Sequence, residues 1–388
     1  MEGPTVRYIQ SLILADLKIK MVFISGPRQS GKTTLAKDII KKSTALYLNW
    51  DDIDERKKIL KREWTDQDKI IVLDEIHKYG RWKNFLKGTY DVQKDLHSFL
   101  ITGSARLDIY KKGQDSMLGR FFSWRLHPLC LSELKYHFQM KEKNTIDLLL
   151  ELGGFPEPFF SNDLQYSKRW RNEKINLLFR QDIRELENIK DMTLLEALYF
   201  QLAERVGGEI ILANMARDIE IAPKTAKAWL QVLEKTYALF IVRPFSKNLT
   251  KAIVKAPKVY FYDNGEVQGD IGAKFENLVA NHLFKKIQFL EDSTGDRYEL
   301  NFIRDQNGHE VDFVIIKNRK PIFLIEAKVS DSVISSHLYY FMKKLKINSA
   351  VQLVLKNEKT KTINGVTVIN AQEWLSQKLE RGFDEMEN

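Results

Sequence analysis

The stretch M-V-F-I-S-G-P-R-Q-S-G-K-T, residues 21 to 33, constrains this chain more than any other. An apolar strand pattern runs directly into G-x-x-x-x-G-K-[ST], Gly26 to Thr33. A helical pattern follows, with Leu35, Ala36, Ile39 and Ile40 on one side. A strand, a glycine-rich turn and a helix in that order aim successive backbone N–H groups at one spot, the arrangement that holds a polyphosphate. Gly26 and Gly31 let the backbone approach the ligand, while Pro27, Arg28, Gln29 and Ser30 form the loop between them. Lys32 supplies a mobile cation for the β and γ phosphates, Thr33 a hydroxyl for Mg2+, and Thr34 completes the binding set. The expected cofactors are ATP and Mg2+.

Residues 69 to 75, K-I-I-V-L-D-E, form an apolar strand pattern ending in two carboxylates. Asp74 is the candidate ligand of Mg2+, direct or second-sphere, and Glu75 the candidate base that orients the attacking water. Ligands in open α/β sheets gather at the carboxyl ends of the strands, so this strand should end beside the phosphate loop. A further strand pattern, H-S-F-L-I-T-G-S-A, closes with Thr102, Gly103 and Ser104. A hydroxyl there can touch the γ-phosphate or the water, and Ser104 is the candidate nucleotide contact. His77, beside the acids, reads as packing.

With 388 residues the chain is long enough for two or three domains. No run of about 18 apolar residues is present that could span a bilayer. The first residues, M-E-G-P-T-V-R, lack a signal-peptide pattern, and the single cysteine, Cys130, excludes an intramolecular disulfide. The expectation is a soluble cytoplasmic protein without a membrane partner. A formal charge of +9 favours a polyanion partner, with DNA as the candidate.

G-P-R-Q-S-G-K-T-T-L, I-V-L-D-E-I-H-K-Y-G-R-W, L-I-T-G-S-A-R and S-M-L-G-R-F-F-S-W-R-L-H-P-L together resemble a large prokaryotic family of AAA+-like ATPases followed by a C-terminal domain of unknown function. L-G-G-F-P-E, K-V-Y-F-Y-D-N-G, A-K-F-E-N-L-V and E-V-D-F-V-I with I-E-A-K extend the resemblance through almost the whole chain. It implies that Arg120, in the recurrent G-R, reads or stabilises γ-phosphate charge, in cis or across a subunit boundary. Where the family often has R-D-I in its lid helices, this chain has Gln181, Asp182 and Ile183, with Arg180 and Arg184 alongside.

Residues 131 to 190 carry helical spacing broken by G-G-F-P-E-P and suit a helical lid packed on the ATPase domain. From about residue 193, helical patterns lead to P-K-T-A-K-A-W-L-Q-V-L-E-K and then to two strand patterns, the proportions of a winged helix-turn-helix. Its recognition helix would present Lys224, Thr225, Lys227 and Trp229 to a groove, with Arg243 and Lys247 near the wing.

Glu276 on a helix, Asp312 on a strand, and Glu326 with Lys328 on the next strand resemble the E…D…E-x-K, or PD-(D/E)XK, core of restriction-endonuclease-like nucleases. That resemblance implies metal ligands at Asp312 and Glu326, with Glu276 and Lys328 completing the catalytic set. A two-residue turn at Asn318 and Arg319 would pair Asp312 with Ile325, on the wrong face. An odd-length turn would pair Asp312 with Glu326.

The expected fold is α/β. It comprises a P-loop NTPase parallel sheet (1–135), a helical lid (136–192), a winged-helix module (193–265) and a small mixed α/β nuclease-like domain (266–388). The expected function is ATP hydrolysis coupled to action on DNA. The alternative is a nucleotide-gated switch that binds DNA or protein with a catalytically inactive nuclease-like domain. A homo-oligomer or a protein partner fits either reading. ATP is favoured over GTP because no guanine-reading N-K-x-D stretch is evident.

Overall fold

The computed structural model describes residues 6–41, 43–103, 117–140, 144–186, 189, 191–246, 256–330, 333–356 and 359–383. The chain divides into two compact units, Met1–Pro128 with Tyr136–Gln139, and Leu129–Lys135 with Met140–Asn388.

The first unit is built on five parallel strands. They are β1 (Met21–Ser25), β2 (Ala45–Asn49), β3 (Ile70–Asp74), β4 (Ser98–Thr102) and β5 (Phe121–Arg125), in the order β2-β3-β4-β1-β5. β1 is buried along its whole length, which explains its unbroken apolar run: a parallel strand covered on both faces has no polar side to show. Helix α1 (Gln10–Asp16) precedes β1, and α2 (Lys32–Ile40), α3 (Ile53–Lys61) and α4 (Trp82–Gln93) connect β1 to β4 in turn. α3 starts where the acidic D-D-I-D places Asp52, whose carboxylate accepts from the backbone of Asp54 and Glu55. Phe23, Leu48, Ile71, Leu73, Phe99 and Ile101 from the strands meet Ile59, Trp82 and Leu86 from the helices in one core. The register sets Asn49, Asp74, Thr102 and Ile24 in one row at the carboxyl edge.

The second unit has an eight-stranded sheet. After the short α5 (Leu131–Tyr136) come α6 (Thr145–Leu152), α7 (Pro156–Ser161), α8 (Leu164–Leu177), a π-helical turn (Leu178–Asp182) and α9 (Ile183–Leu186). Three more helices, α10 (Met192–Ala203), α11 (Leu212–Asp218) and α12 (Pro223–Lys235), precede the antiparallel pair β6 (Leu239–Pro244) and β7 (Lys258–Phe261). Then follow α13 (Ile271–Thr294), β8 (Tyr298–Arg304), β9 (Glu310–Lys317), β10 (Lys320–Lys328), α14 (Ser336–Leu345), β11 (Ala350–Val354), β12 (Lys361–Ile363) and β13 (Val366–Asn370). The sheet order is β12-β13-β11-β10-β9-β8-β6-β7.

The boundary expected at residue 265 therefore runs through a sheet. β6 pairs with β8 at Arg243 and Asn301, so the two expected modules share one hydrogen-bonded surface. The helices expected as a lid on the ATPase domain cluster with this second unit. A buried ion network is the reason: Arg171 Nε on α8 donates to Asp263 Oδ2 at 3.1 Å, and Lys174 Nζ to Glu266 Oε1 at 2.8 Å. Tyr199 OH on α10 donates to Glu266 Oε2 at 2.6 Å. A Cβ on Gly265 would lie 2.0 Å from the Arg171 guanidinium, so a larger residue in the D-N-G of the turn would have to displace Arg171 from Asp263.

The proline of α12, Pro223, sits in the first turn, where no N–H is missed. Ala226, Trp229, Leu230 and Leu233 fall three and four apart and are buried. Trp229 thus packs inward, only 8% exposed, which corrects its expected place in a groove-facing set; Lys224 and Lys227 are exposed.

The β9–β10 hairpin reconciles two expectations that the sequence sets against each other. Its turn does have two residues, Asn318 and Arg319, both left-handed at φ 47° and 70°. The register then shifts by one between Pro321 and Phe323, from Pro321↔Ile316 to Phe323↔Ile315. A proline cannot donate to a ladder, and a bulge is where a strand tolerates one. Continued from Ile325↔Phe313, this register sets Asp312 opposite Glu326 without an odd-length turn.

His282 on α13 is buried between two backbone groups. Its Nε2 accepts from the Leu131 N–H at 3.0 Å and its Nδ1 donates to Leu278 O at 2.7 Å, so a second ring proton has no acceptor. Burial, with the Lys285 ammonium adding to it, lowers its pKa to about 4 against the opposing pull of the Leu278 carbonyl. The unfolded chain takes up this proton first as pH falls below about 6.5. The contribution is therefore complete above that pH and withdrawn toward pH 4, by on the order of 3 kcal/mol. NMR titration of the folded chain should show this imidazole neutral at pH 6 and titrating near 4; an ordinary midpoint near 6.5 would contradict the burial argument.

Candidate functional site

In the first unit the phosphate loop leaves β1 at Gly26. Its φ of 145°, and a would-be Cβ 2.3 Å from Leu126 O, leave room only for glycine. Gln29 and Gly31 are left-handed as well, at φ 62° and 95°, which curls Pro27, Arg28, Gln29 and Ser30 into the mouth of α2. Lys32 Nζ donates to the carbonyls of Gly26 at 3.0 Å and Pro27 at 2.6 Å. Charged phosphate oxygens bind an ammonium more strongly than neutral carbonyls, so these partners can be exchanged. Ser30 Oγ is buried and has no hydrogen-bond partner among the described residues. An orphaned donor inside the loop fits an acceptor-rich ligand such as a phosphate. Thr33 and Thr34 follow on the first turn of α2, exposed.

The end of β3 faces this loop. Asp74 Oδ2 accepts from Thr33 Oγ1 at 2.8 Å and from Tyr47 OH at 2.6 Å, and Oδ1 accepts from the Thr102 hydroxyl. With both oxygens occupied, the carboxylate is placed to act on a metal through Thr33, the second-sphere alternative. Glu75, left-handed at φ 57°, has its N–H on Thr102 O at 3.0 Å. Its Oε2 lies 3.4 Å from Lys78 Nζ and 3.6 Å from His77 Nε2. Burial pushes the Glu75 carboxyl up, and Asp74 adds to this while Lys78 and Lys32 oppose it. A carboxylate raised toward neutrality is a better proton acceptor.

Two residues of this site escape sequence reasoning. Tyr47 shows only as one aromatic side chain in the strand pattern A-L-Y-L-N. Arg7 carries no local signal at all: it is 5% exposed, and its Nη1 and Nη2 donate to Ser30 O and His127 O, both at 2.7 Å. It thereby ties the loop to the segment after β5.

Arg120 requires a correction. It precedes β5, and Met21 N donates to its carbonyl, so it stands at the amino edge of the sheet. The phosphate loop leaves the opposite edge, roughly 15 Å away along five strand residues. The Arg120 guanidinium forms a bidentate pair with Asp91, at 2.7 and 2.9 Å. This placement and this pairing count against a γ-phosphate contact in cis. Ser104 and Lys247 lie outside the described residues.

In the second unit the C-terminal acids gather around a lysine. Lys258 Nζ on β7, 2% exposed as a residue, lies 3.3 Å from Glu276 Oε1, 2.7 Å from Glu310 Oε1 and 4.0 Å from Asp312 Oδ1. Tyr260 OH donates to Glu276 Oε1 at 2.6 Å. Lys328 Nζ lies 2.8 Å from Glu326 Oε1, as strand alternation requires, and Asp312 Oδ2 accepts from Ala327 N at 2.9 Å. Burial and the Asp312 charge push Glu276 up to about 7 and Glu326 up to about 8, against the pull of Lys258 and Lys328. Among the described residues no three His, Cys, Asp or Glu side chains form a group that could hold a metal ion. The acids expected to hold one at Asp312 and Glu326 instead have ammonium groups beside them.

A parallel sheet with a glycine loop at its carboxyl edge, a lysine on that loop and a threonine bonded to the aspartate that ends β3 defines an AAA-like P-loop ATPase domain. Residues 18–135 match the family described as an AAA domain. Residues 143–268 and 271–374 match two families described as domains of unknown function, DUF8612 and DUF4143. An uncharacterized protein of Methanocaldococcus jannaschii is 26% identical over 352 residues, covering 81% of this chain and 77% of its own length. One of Mycobacterium tuberculosis is 24% identical over 279 residues, 68% of this chain and 62% of that relative, so the match spans less than two thirds of it. Among solved structures, the Aeropyrum pernix ORC1 protein in complex with DNA covers 72% of this chain and 94% of its own, at 11% identity and a TM-score of 0.34. No helix among the described residues is long and apolar enough to cross a membrane.

Proposed function

We propose that this chain binds and hydrolyses ATP with Mg2+, and that its nucleotide state governs how the second unit binds DNA. The observation that carries the first half is the Thr33–Asp74 hydrogen bond beside a loop whose lysine rests on neutral carbonyls. Lys32 exchanges those carbonyls for β- and γ-phosphate oxygens. The main chain of Gly26 to Gly31 cradles the phosphates, and Ser30 Oγ–H gains an acceptor. Thr33 keeps its proton on Asp74 and turns its lone pairs outward. Mg2+, when bound, would neutralise charge on the phosphate oxygens. Glu75 takes the proton of the attacking water.

DNA binding is supported by the order of α10, α11, α12, β6 and β7, which follows that of a winged helix, and by exposed Lys224 and Lys227 on α12. Arg243, half-buried on β6, is the wing-side candidate. For the C-terminal acids the reading as a metal-dependent nuclease competes with a catalytically inactive nuclease-like fold, and Lys258 among Glu276, Glu310 and Asp312 favours the second. A cleavage assay on DNA with Mg2+ or Mn2+ separates them. On the inactive reading no cleavage is expected. If cleavage occurs and is lost in both Asp312→Ala and Lys328→Ala while ATP hydrolysis persists, the nuclease reading holds instead. DNA retention should weaken steeply with salt; retention indifferent to salt would count against phosphate contacts.

A further inference from the structure

We infer that Tyr47 is a positioning residue of the nucleotide site, whose hydroxyl locks the Asp74 carboxylate in the orientation that lets Thr33 present a lone pair to Mg2+. The inference rests on the proposed ATPase reading and adds a residue to it. A hydroxyl has one proton and two acceptor lone pairs. Thr33 can offer oxygen to a cation only while its proton points elsewhere, and Asp74 Oδ2 receives it at 2.8 Å. The Thr102 hydroxyl holds Oδ1 from β4, a single point about which the carboxylate could still turn. Tyr47 holds Oδ2 at 2.6 Å from the other flanking strand, and two anchors on opposite sides fix the plane.

The placement of Tyr47 is rigid. Its backbone pairs with Val72 on β3, two residues before the row that holds Asp74. Lys37 Nζ lies 4.9 Å from the centre of its ring, so a residue one turn beyond Thr33 on α2 packs on the same aromatic face. Tyr47 therefore touches both the strand that supplies the acid and the helix that supplies the hydroxyl. Burial and the Asp74 carboxylate raise its pKa well above that of an ordinary tyrosine, which keeps it a donor at every working pH. Phenylalanine would fill the same space and keep the Lys37 contact. Only the grip on Asp74 needs the oxygen.

The test is Tyr47→Phe in the full chain, with Mg2+ titrated calorimetrically into the protein–ADP complex and hydrolysis of ATP followed against Mg2+ concentration. Loss of one hydrogen bond to a charged group should raise the Mg2+ concentration at half-saturation about tenfold. ADP binding in EDTA should stay at the parent value while the melting temperature falls by only about 2–8 °C, the cost of one hydrogen bond, a pattern that a tyrosine shaping the loop does not produce. An unchanged Mg2+ requirement in a variant that hydrolyses ATP would overturn the role of Tyr47 while leaving the ATPase reading intact. Weakened ADP binding in EDTA would overturn it too, by showing that the hydroxyl shapes the loop. A parent chain that neither binds ADP nor hydrolyses ATP would defeat both.

Discussion

Lys32→Ala is expected to abolish binding of Mg-ATP in calorimetry and to lower hydrolysis by at least about a hundredfold, the scale on which losing one preorganised charge-stabilising group acts. The loop amides would remain, but they are neutral dipoles facing a triphosphate. The ammonium adds a mobile full charge whose present partners in hydrogen-bond reach are neutral carbonyls. The fold should survive the change. Lys32 is 7% exposed, and its Nζ bonds to the Gly26 and Pro27 carbonyls, so its removal takes a buried cation out of the protein. A variant that melts like the parent and binds no nucleotide would separate loss of the site from loss of structure. Undiminished nucleotide uptake by the variant would remove the basis of the proposed function.

Asp263→Ala should destabilise the second unit by about 3–5 kcal/mol, the range for removing one partner of a buried ion pair. Asp263 is fully buried, and it receives Arg171 Nε at 3.1 Å and lies 3.7 Å from Lys174 Nζ, both cations being largely buried themselves. Its Oδ1 also accepts the Gly265 N–H at 3.0 Å. Alanine leaves the Arg171 guanidinium desolvated without its carboxylate, Lys174 with Glu266 alone, and an unpaired amide in the turn. Pairing the change with Arg171→Met should recover part of the loss, since an apolar side chain no longer needs the counter-charge. Urea unfolding of the full chain measures both. A loss under about 1 kcal/mol for the single variant would show that the network is wetter than its burial implies.

The residues that act through local geometry are legible without a structure. G-P-R-Q-S-G-K-T names its own loop because strand, turn and helix are consecutive in the chain, and L-D-E at a strand end names its own edge. Direction and distance are what a string of residues conceals. Arg120 belongs to a recognisable motif, but the register of β5 on β1 puts it at the far edge of the sheet. Trp229 satisfies the helical spacing of a groove-facing residue and of a core residue alike, and burial chooses the core. An odd-length turn follows from a hairpin with uniform pairing, whereas Pro321 introduces a bulge that makes the same one-residue shift.

From the sequence alone came the phosphate loop, the two acids that follow it and the apolar runs of a parallel sheet, because each is written in neighbouring residues and enforced by backbone sterics and periodicity. Only the tertiary structure decided that Tyr47 and Thr102 hold Asp74, that Arg7 braces the loop from 23 residues upstream, and that Lys258 stands among the C-terminal acids. Those contacts join separate strands and helices. Charge and hydrogen bonding act through space, and their partners are chosen by packing after the elements have formed.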